Sequence, residues 1–430
     1  MERAADPDDP SPADPRRLAY AWVVGAALWG GWLLSVGLGS GGVDLAGQVI
    51  GTDYLQGYTA GVTLRLGEGA RLYDFAYQSA LQQAIIGPRL QDFHAFITPP
   101  FLAWLFVPLS AFPYPLSFAL WSLIGLLCLG ASLRLLAAPH AARVFAWSLT
   151  WFAVFSALTF GQNSLLSLAL LSLTYGLWRK GRLWLAGLAA SLLLYKPQLL
   201  VGVGLLWLWQ WRRDGRALLG LAAGGAVLLG LSLWQLPAAS RAYVGLSRTL
   251  LPHLTEWAEF PTWHLHTLRG FWHLLWPRNL ALADALWLVG SALGVAGCVH
   301  LWRRGREQPA LLFAAATVLT LWVAPHGMIY DWTLLLLPAV LLWQHQPRLR
   351  PRLKVAFAAI WAVSLISGPL TFWQMQTLPL AVQISVPVGG MVVYSLYSAL
   401  RDPESEGPCR QGATPAGPSP GRLAQAGSSR

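Results

Sequence analysis

The chain alternates long apolar runs with short polar breaks. Apolar runs cover residues 18–39, 116–136, 144–160, 165–178, 217–236, 282–302, 310–324, 332–344, 355–373 and 380–400. About 20 residues are needed to cross a bilayer as a helix, and in lipid every backbone polar group must bond internally, so such runs predict helices. Residues 183–195 and 199–211 form a shorter apolar pair, split by Lys196-Pro197-Gln198. Each half would be only ~20 Å long at 1.5 Å per residue. Residues 101–112 are shorter still and stop at Pro113-Tyr114-Pro115; they read as re-entrant or interfacial. The pattern predicts an all-α polytopic membrane protein of about twelve transmembrane helices spanning residues 18–400.

Two polar segments interrupt this series. The first, residues 51–98, opens on Gly51-Thr52-Asp53-Tyr54-Leu55-Gln56-Gly57-Tyr58-Thr59-Ala60-Gly61. Tyr58, Val62 and Leu66, and then Tyr73, Phe75, Tyr77 and Leu81, form a face suited to a membrane surface, which predicts two or three interfacial helices. Thr52 or Asp53 could cap one of them and Asp74 another. The second segment, residues 237–280, holds His253, His264, His266, His273, Glu256 and Glu259. Residues 1–17 and 401–430 read as disordered cytoplasmic tails.

Only 11% of the residues are charged against 55% hydrophobic, far from the ~25% charged of a soluble domain. The net charge of +11 comes from arginines clustered in short breaks such as 179–182, 212–216, 303–306 and 348–354. That is the distribution of cytoplasmic loops, and it argues against nucleic-acid binding. It also places both termini inside and Asp53, Gln162, Lys196, His264 and His326 together on the outer side. The acidic, proline-rich start followed by Arg16-Arg17 is unlike a cleavable signal, so the first helix is expected to be retained. Cys128, Cys298 and Cys409 make no motif.

Several residues could carry chemistry. Asp53 is either a general base or a helix cap. Lys196 is one of three lysines, and the other two, Lys180 and Lys354, lie in basic breaks. An intramembrane lysine is costly and marks function by default, here as a point charge for a lipid phosphate. The plainer reading is a snorkelling side chain. His326 sits in a break with Tyr330 and Asp331 close behind; it could meet a phosphate oxygen or orient an acceptor. Gln162 and Asn163 follow Gly161 at a helix start, where capping is the plainer reading. His264-x-His266 has a metal-like step but no third ligand, so no metal is expected.

The ordered set of these motifs resembles glycosyltransferase family 87, whose members include polyprenyl-phosphate-mannose-dependent mannosyltransferases. The matching residues are Asp53-Tyr54-x-x-Gly57-Tyr58-x-Ala60-Gly61, Gly67-Glu68-Gly69-x-x-Leu72-Tyr73-Asp74, Thr98-Pro99-Pro100-Phe101, Pro113-Tyr114-Pro115, Gly161-Gln162-Asn163, Lys196-Pro197-Gln198 and Pro325-His326-x-x-x-Tyr330-Asp331. The resemblance departs where Gly57-Tyr58-Thr59 replaces the family's aromatic pair. It implies a GT-C fold, a polyprenyl-phosphate sugar donor, a lipid or glycan acceptor, no cofactor, and an active site at the outer face of the bacterial inner membrane. It also implies Asp53 as the base and phosphate or substrate contacts for Lys196 and His326; Tyr58, Gln162, Asn163 and Tyr330 are the further substrate-binding candidates, and His326 a catalytic one beside Asp53. A lipid-linked-sugar flippase and a non-catalytic membrane scaffold are the rival classes.

Overall fold

The computed structural model describes residues 15–256 and 260–401; the expected tails (most of 1–17, and 402–430) and Glu259 lie outside the described residues. Among the described residues there are helices and short 3₁₀ turns but no strands, as the apolar pattern requires.

The helices in chain order are α1 (Pro15–Leu38), α2 (Thr52–Arg65), α3 (Phe75–Ile86), α4 (Ala103–Phe106), α5 (Tyr114–Leu135), α6 (Ala141–Ser148), α7 (Phe152–Thr159), α8 (Ser164–Arg179) and α9 (Leu183–Ser191). There follow α10 (Val201–Trp209), α11 (Trp211–Gln235), α12 (Pro237–Thr249), α13 (Leu268–Leu275), α14 (Leu280–Arg304), α15 (Pro309–Val323), α16 (Leu336–His345), α17 (Arg350–Thr377) and α18 (Ser385–Arg401).

Among the described residues five helices are long and apolar enough to cross a membrane: Ala19–Leu38 within α1, then α5, α11, α14 and Pro347–Thr377, which contains α17. A sixth crossing arises if α6 and α7 count as one span bent by 71°. This is fewer than the expected twelve. The remaining apolar runs fold as shorter pieces: α8 has 16 residues, and Leu183–Tyr195, Pro197–Trp209 and α15 stay below 18. At 1.5 Å per residue these fall short of a ~30 Å hydrocarbon core. The expected basic loop at 212–216 is instead the first turn of α11.

The α6–α7 bend exposes backbone carbonyls in an apolar setting. Two indoles answer them: Trp29 Nε1 donates to the Leu149 carbonyl at 2.8 Å and Trp361 Nε1 to that of Thr150 at 3.1 Å. Irregular backbone at membrane depth persists only with such internal partners. Beside this bend, α1 and α5–α7 enclose an apolar recess of about 490 Å³, lined by Trp22, Trp29, Trp32, Leu126 and Leu158 among others.

Helix α2 departs from the expected surface position. Tyr54, Leu55 and residues 57–63 are all buried, and Tyr58 and Val62 face protein rather than a membrane surface. Small residues make this possible. A Cβ on Gly57 would lie 2.6 Å from the Phe106 ring, and one on Gly61 2.5 Å from the Phe106 carbonyl oxygen. The Gly-x-x-x-Gly step therefore lets α2 close against α4, the same device by which membrane helices approach one another. Thr59 and Thr63 return their hydroxyls to the carbonyls four residues back, so their burial leaves no orphan. The 101–112 stretch forms only the four-residue α4 flanked by 3₁₀ turns, too short to span.

Candidate active site

The start of α2 is pinned by two glycines. Gly51 precedes the helix at φ 72° and Gly161 turns the chain at φ 70° between α7 and α8. A side chain at Gly51 would strike Phe118, and one at Gly161 would strike Tyr54, so the two turns can approach only as glycines. The Phe160 carbonyl then accepts from both Asp53 N (2.9 Å) and Tyr54 N (3.0 Å). These are two of the helix's unsatisfied N-terminal amides. Neither Thr52 nor Asp53 caps α2: the N-cap is Gly51, with no side-chain bond. The Asp53 carboxylate is thereby left free for another use, in a first turn whose dipole favours an anion. Asp74 does cap, accepting from Tyr77 N at 3.0 Å.

Asp53 keeps some exposed surface yet is largely surrounded by protein. Burial raises its pKa above the ordinary carboxylate value; a hydrogen bond from Gln162 and the charges of His94 and Lys196 pull it back, and Asp331 pushes it up again. Four residues from four separate segments thus act on this one carboxylate.

Lys196 supplies the charge. It lies between the 3₁₀ turns Leu192–Tyr195 and Pro197–Leu200, where the helix ladder is interrupted. Its Nζ donates to Asp331 Oδ1 at 3.0 Å and to Gln162 Oε1 at 3.3 Å, and stands 5.1 Å from the centre of the Tyr330 ring. With 14% of its side chain exposed, it is not a snorkelling lysine. Asp331 is held from three sides. Oδ1 also accepts from Ser164 Oγ at 2.9 Å, and Oδ2 accepts from Met328 N at 3.2 Å.

The other expected residues divide. Gln162 bridges Asp53 and Lys196. Tyr330 lies beneath the ammonium. Asn163 precedes α8, is buried, and makes no side-chain cap; its Oδ1 has no protein partner. The Tyr58 hydroxyl is committed to the Phe112 carbonyl at 2.8 Å, and its ring packs on Tyr114. His326 packs on Phe260, and the charges of Arg269 and His273 act on it; burial lowers its pKa to about 4. Its Nδ1 is buried without a partner. His264 lies on Phe160, the residue whose carbonyl anchors Asp53, and burial lowers its pKa to about 4. His266 is locked to Ser385 at 2.7 Å, with its backbone bonded to Gly327. Among the described residues no group of three His, Cys, Asp or Glu is placed to hold a metal.

Asp331, Ser164 and His94 are the residues that sequence reasoning passed over. Asp331 carries a signal, an acid five residues after His326 at the edge of an apolar run. Ser164 closes the expected turn at 161–164 and carries no signal of its own. His94 sits in a stretch with no periodicity. Two buried glutamines of α3 fix that stretch: Gln82 bonds both the N–H and the C=O of His94, and Gln78 accepts from Phe96 N.

The model of glycosyltransferase family 87 matches residues 96–325, a little over half of the 430 residues. The chain belongs to glycosyltransferase family 87. The match contains Gln162, Ser164 and Lys196; Asp53 precedes it and His326, Tyr330 and Asp331 follow it. A family 87 glycosyltransferase built of apolar helices is a membrane enzyme acting on a sugar donor and an acceptor, which removes the flippase and scaffold alternatives. No curated protein and no solved structure matches the chain significantly.

Proposed function

We propose that this enzyme transfers a hexose, such as mannose, from a polyprenyl-phosphate donor to a hydroxyl of a lipid or glycan acceptor. The reaction takes place at the outer face of a bacterial inner membrane, on a GT-C framework. The observation that carries the reading is the meeting of a partly exposed carboxylate, Asp53, with a mostly buried ammonium, Lys196, across the Gln162 amide.

The chemistry needs no more than these groups. The acceptor oxygen attacks the anomeric carbon while its proton passes to Asp53. The bond from that carbon to the phosphate oxygen breaks, and the polyprenyl phosphate leaves as an anion held by Lys196. A single displacement inverts the anomeric centre. A raised pKa suits a base that must both accept and later release a proton near neutral pH. His326, held neutral by burial, packs with Phe260 and feels Arg269 and His273, and supplies no charge to the Asp53–Lys196 group. Asn163 and Tyr330 line the sugar side, and Tyr58 supports α2.

The test is incubation of purified enzyme with labelled polyprenyl-phosphate mannose and membrane lipid extract. Asp53→Asn keeps the shape and removes the base, so transfer should fall by at least ~10²-fold. Transfer by Asp53→Asn near the wild-type rate would remove Asp53 from this role.

A further inference from the structure

We propose that Asp331 is a positioning residue for Lys196, and that the affinity of the enzyme for its phosphate-bearing donor is set through this pair. The inference rests on the reading of Lys196 as the phosphate ligand.

An ammonium has three protons to give. One goes to Asp331 Oδ1 at 3.0 Å and one to Gln162 Oε1 at 3.3 Å. Among the described residues the third has no acceptor, and the Tyr330 ring, 5.1 Å away, closes one side. Two fixed acceptors therefore leave the remaining N–H for a ligand, beside the Asp53 carboxylate on which the Lys196 charge acts. Asp331 can orient the ammonium because it cannot turn. Oδ1 is shared with Ser164 Oγ at 2.9 Å and Oδ2 is tied to Met328 N at 3.2 Å. Only 6% of its side chain is exposed. Its loop is tied in turn to the neighbouring segment, where His266 N donates to the Gly327 carbonyl at 2.8 Å.

The charge arithmetic agrees. A mostly buried ammonium without a counterion is unfavourable, and Asp331 balances it before substrate arrives. The incoming phosphodiester then adds one negative charge to a pair that is neutral overall. Gln162 and Asp53 also face Lys196, and Asp53 carries the second carboxylate of the site. Asp331 thus acts through Lys196, not on the proton transferred at Asp53.

A purely structural role is the competing account, since Asp331 also bonds Met328 N at the start of the turn Ile329–Leu335. A double-mutant cycle separates the two. Donor KM and kcat would be measured for wild type, Asp331→Asn, Lys196→Met and the double variant, with thermal unfolding in detergent alongside. The expected result is a donor KM raised about tenfold in Asp331→Asn, with kcat within about threefold, and a double variant no worse than Lys196→Met alone. Asp331→Asn lowering kcat at unchanged KM would overturn the inference. So would Asp331→Asn weakening the Lys196→Met enzyme as much as it weakens the wild type. If Asp331→Asn does not fold, Ser164→Ala loosens the same carboxylate, and its rise in KM should vanish in the Lys196→Met background. A Lys196→Met enzyme with wild-type donor KM would instead remove the phosphate reading itself, whatever Asp331 does.

Discussion

Gly61 lies two turns from Asp53 and makes no contact with substrate in the proposed scheme, yet Gly61→Ala should disable the enzyme. A Cβ there would lie 2.5 Å from the Phe106 carbonyl oxygen and 2.6 Å from its carbonyl carbon. Carbon and carbonyl oxygen approach no closer than ~3.3 Å even in favourable contacts, so one backbone must move by roughly 0.8 Å. Phe106 cannot give easily, because α4 is closed in by 3₁₀ turns and by α2 itself. The displacement then passes along α2 to its first turn. Overpacking of this kind costs about 1–3 kcal/mol of stability. Misplacing a reacting group by ~1 Å can cost ~10²-fold in rate. The assay is sugar transfer by purified enzyme beside thermal unfolding in detergent. Gly57→Ala supplies a graded comparison, since its Cβ would meet the far end of the Phe106 ring at 2.6 Å and a ring can swing. Gly30→Ala, with nothing within 4 Å, is the neutral control. The expected order of damage is Gly61→Ala, then Gly57→Ala, then none for Gly30→Ala. Wild-type transfer by a folded Gly61→Ala enzyme would refute the argument that close α2–α4 packing sets the position of Asp53.

Other outcomes follow from the same geometry. Asp53 must be ionised to accept a proton, and burial raises its pKa, so kcat/KM should rise with pH through a limb above the ordinary carboxylate value of ~4. A positive charge on His94 lowers the pKa of Asp53, so His94→Gln should move that limb to still higher pH; a stationary limb would exclude His94 from the charge balance. Trp29→Phe deletes the indole donor at the α6–α7 bend and leaves the Leu149 carbonyl without it in an apolar setting. The expected loss is about 1–3 kcal/mol in thermal unfolding, with transfer chemistry unchanged in the folded fraction. An unchanged melting temperature would mean that another donor serves that carbonyl.

Local chemistry made much of this enzyme legible in its sequence. Apolar runs specify helices because a backbone in lipid has nothing else to bond to, and that holds without knowledge of any neighbour. Lys196 stood out for the same reason: an ammonium inside an apolar run is costly wherever it ends up. The break at Lys196-Pro197 and the turns at Gly51 and Gly161 are also written locally, in residues that interrupt a helix or permit positive φ.

Tertiary structure decided the rest. Nothing in the periodicity says that the partner of Lys196 is Asp331, 135 positions away, rather than any other acid. Nor does it say that Phe160 would anchor Asp53, or that Gln82 would hold His94 beside it. Helix α2 reads as a surface helix because it carries tyrosines, threonines and a glutamine. It is buried because its threonines bond within the helix, the Tyr58 hydroxyl finds the Phe112 carbonyl and its glycines admit Phe106, and the last two depend on residues distant in the chain. The expected count of twelve spans is not confirmed, for a related reason. An apolar run states that a segment avoids water, but whether it runs straight or bends depends on the carbonyl partners its neighbours supply, as Trp29 and Trp361 do for α6 and α7.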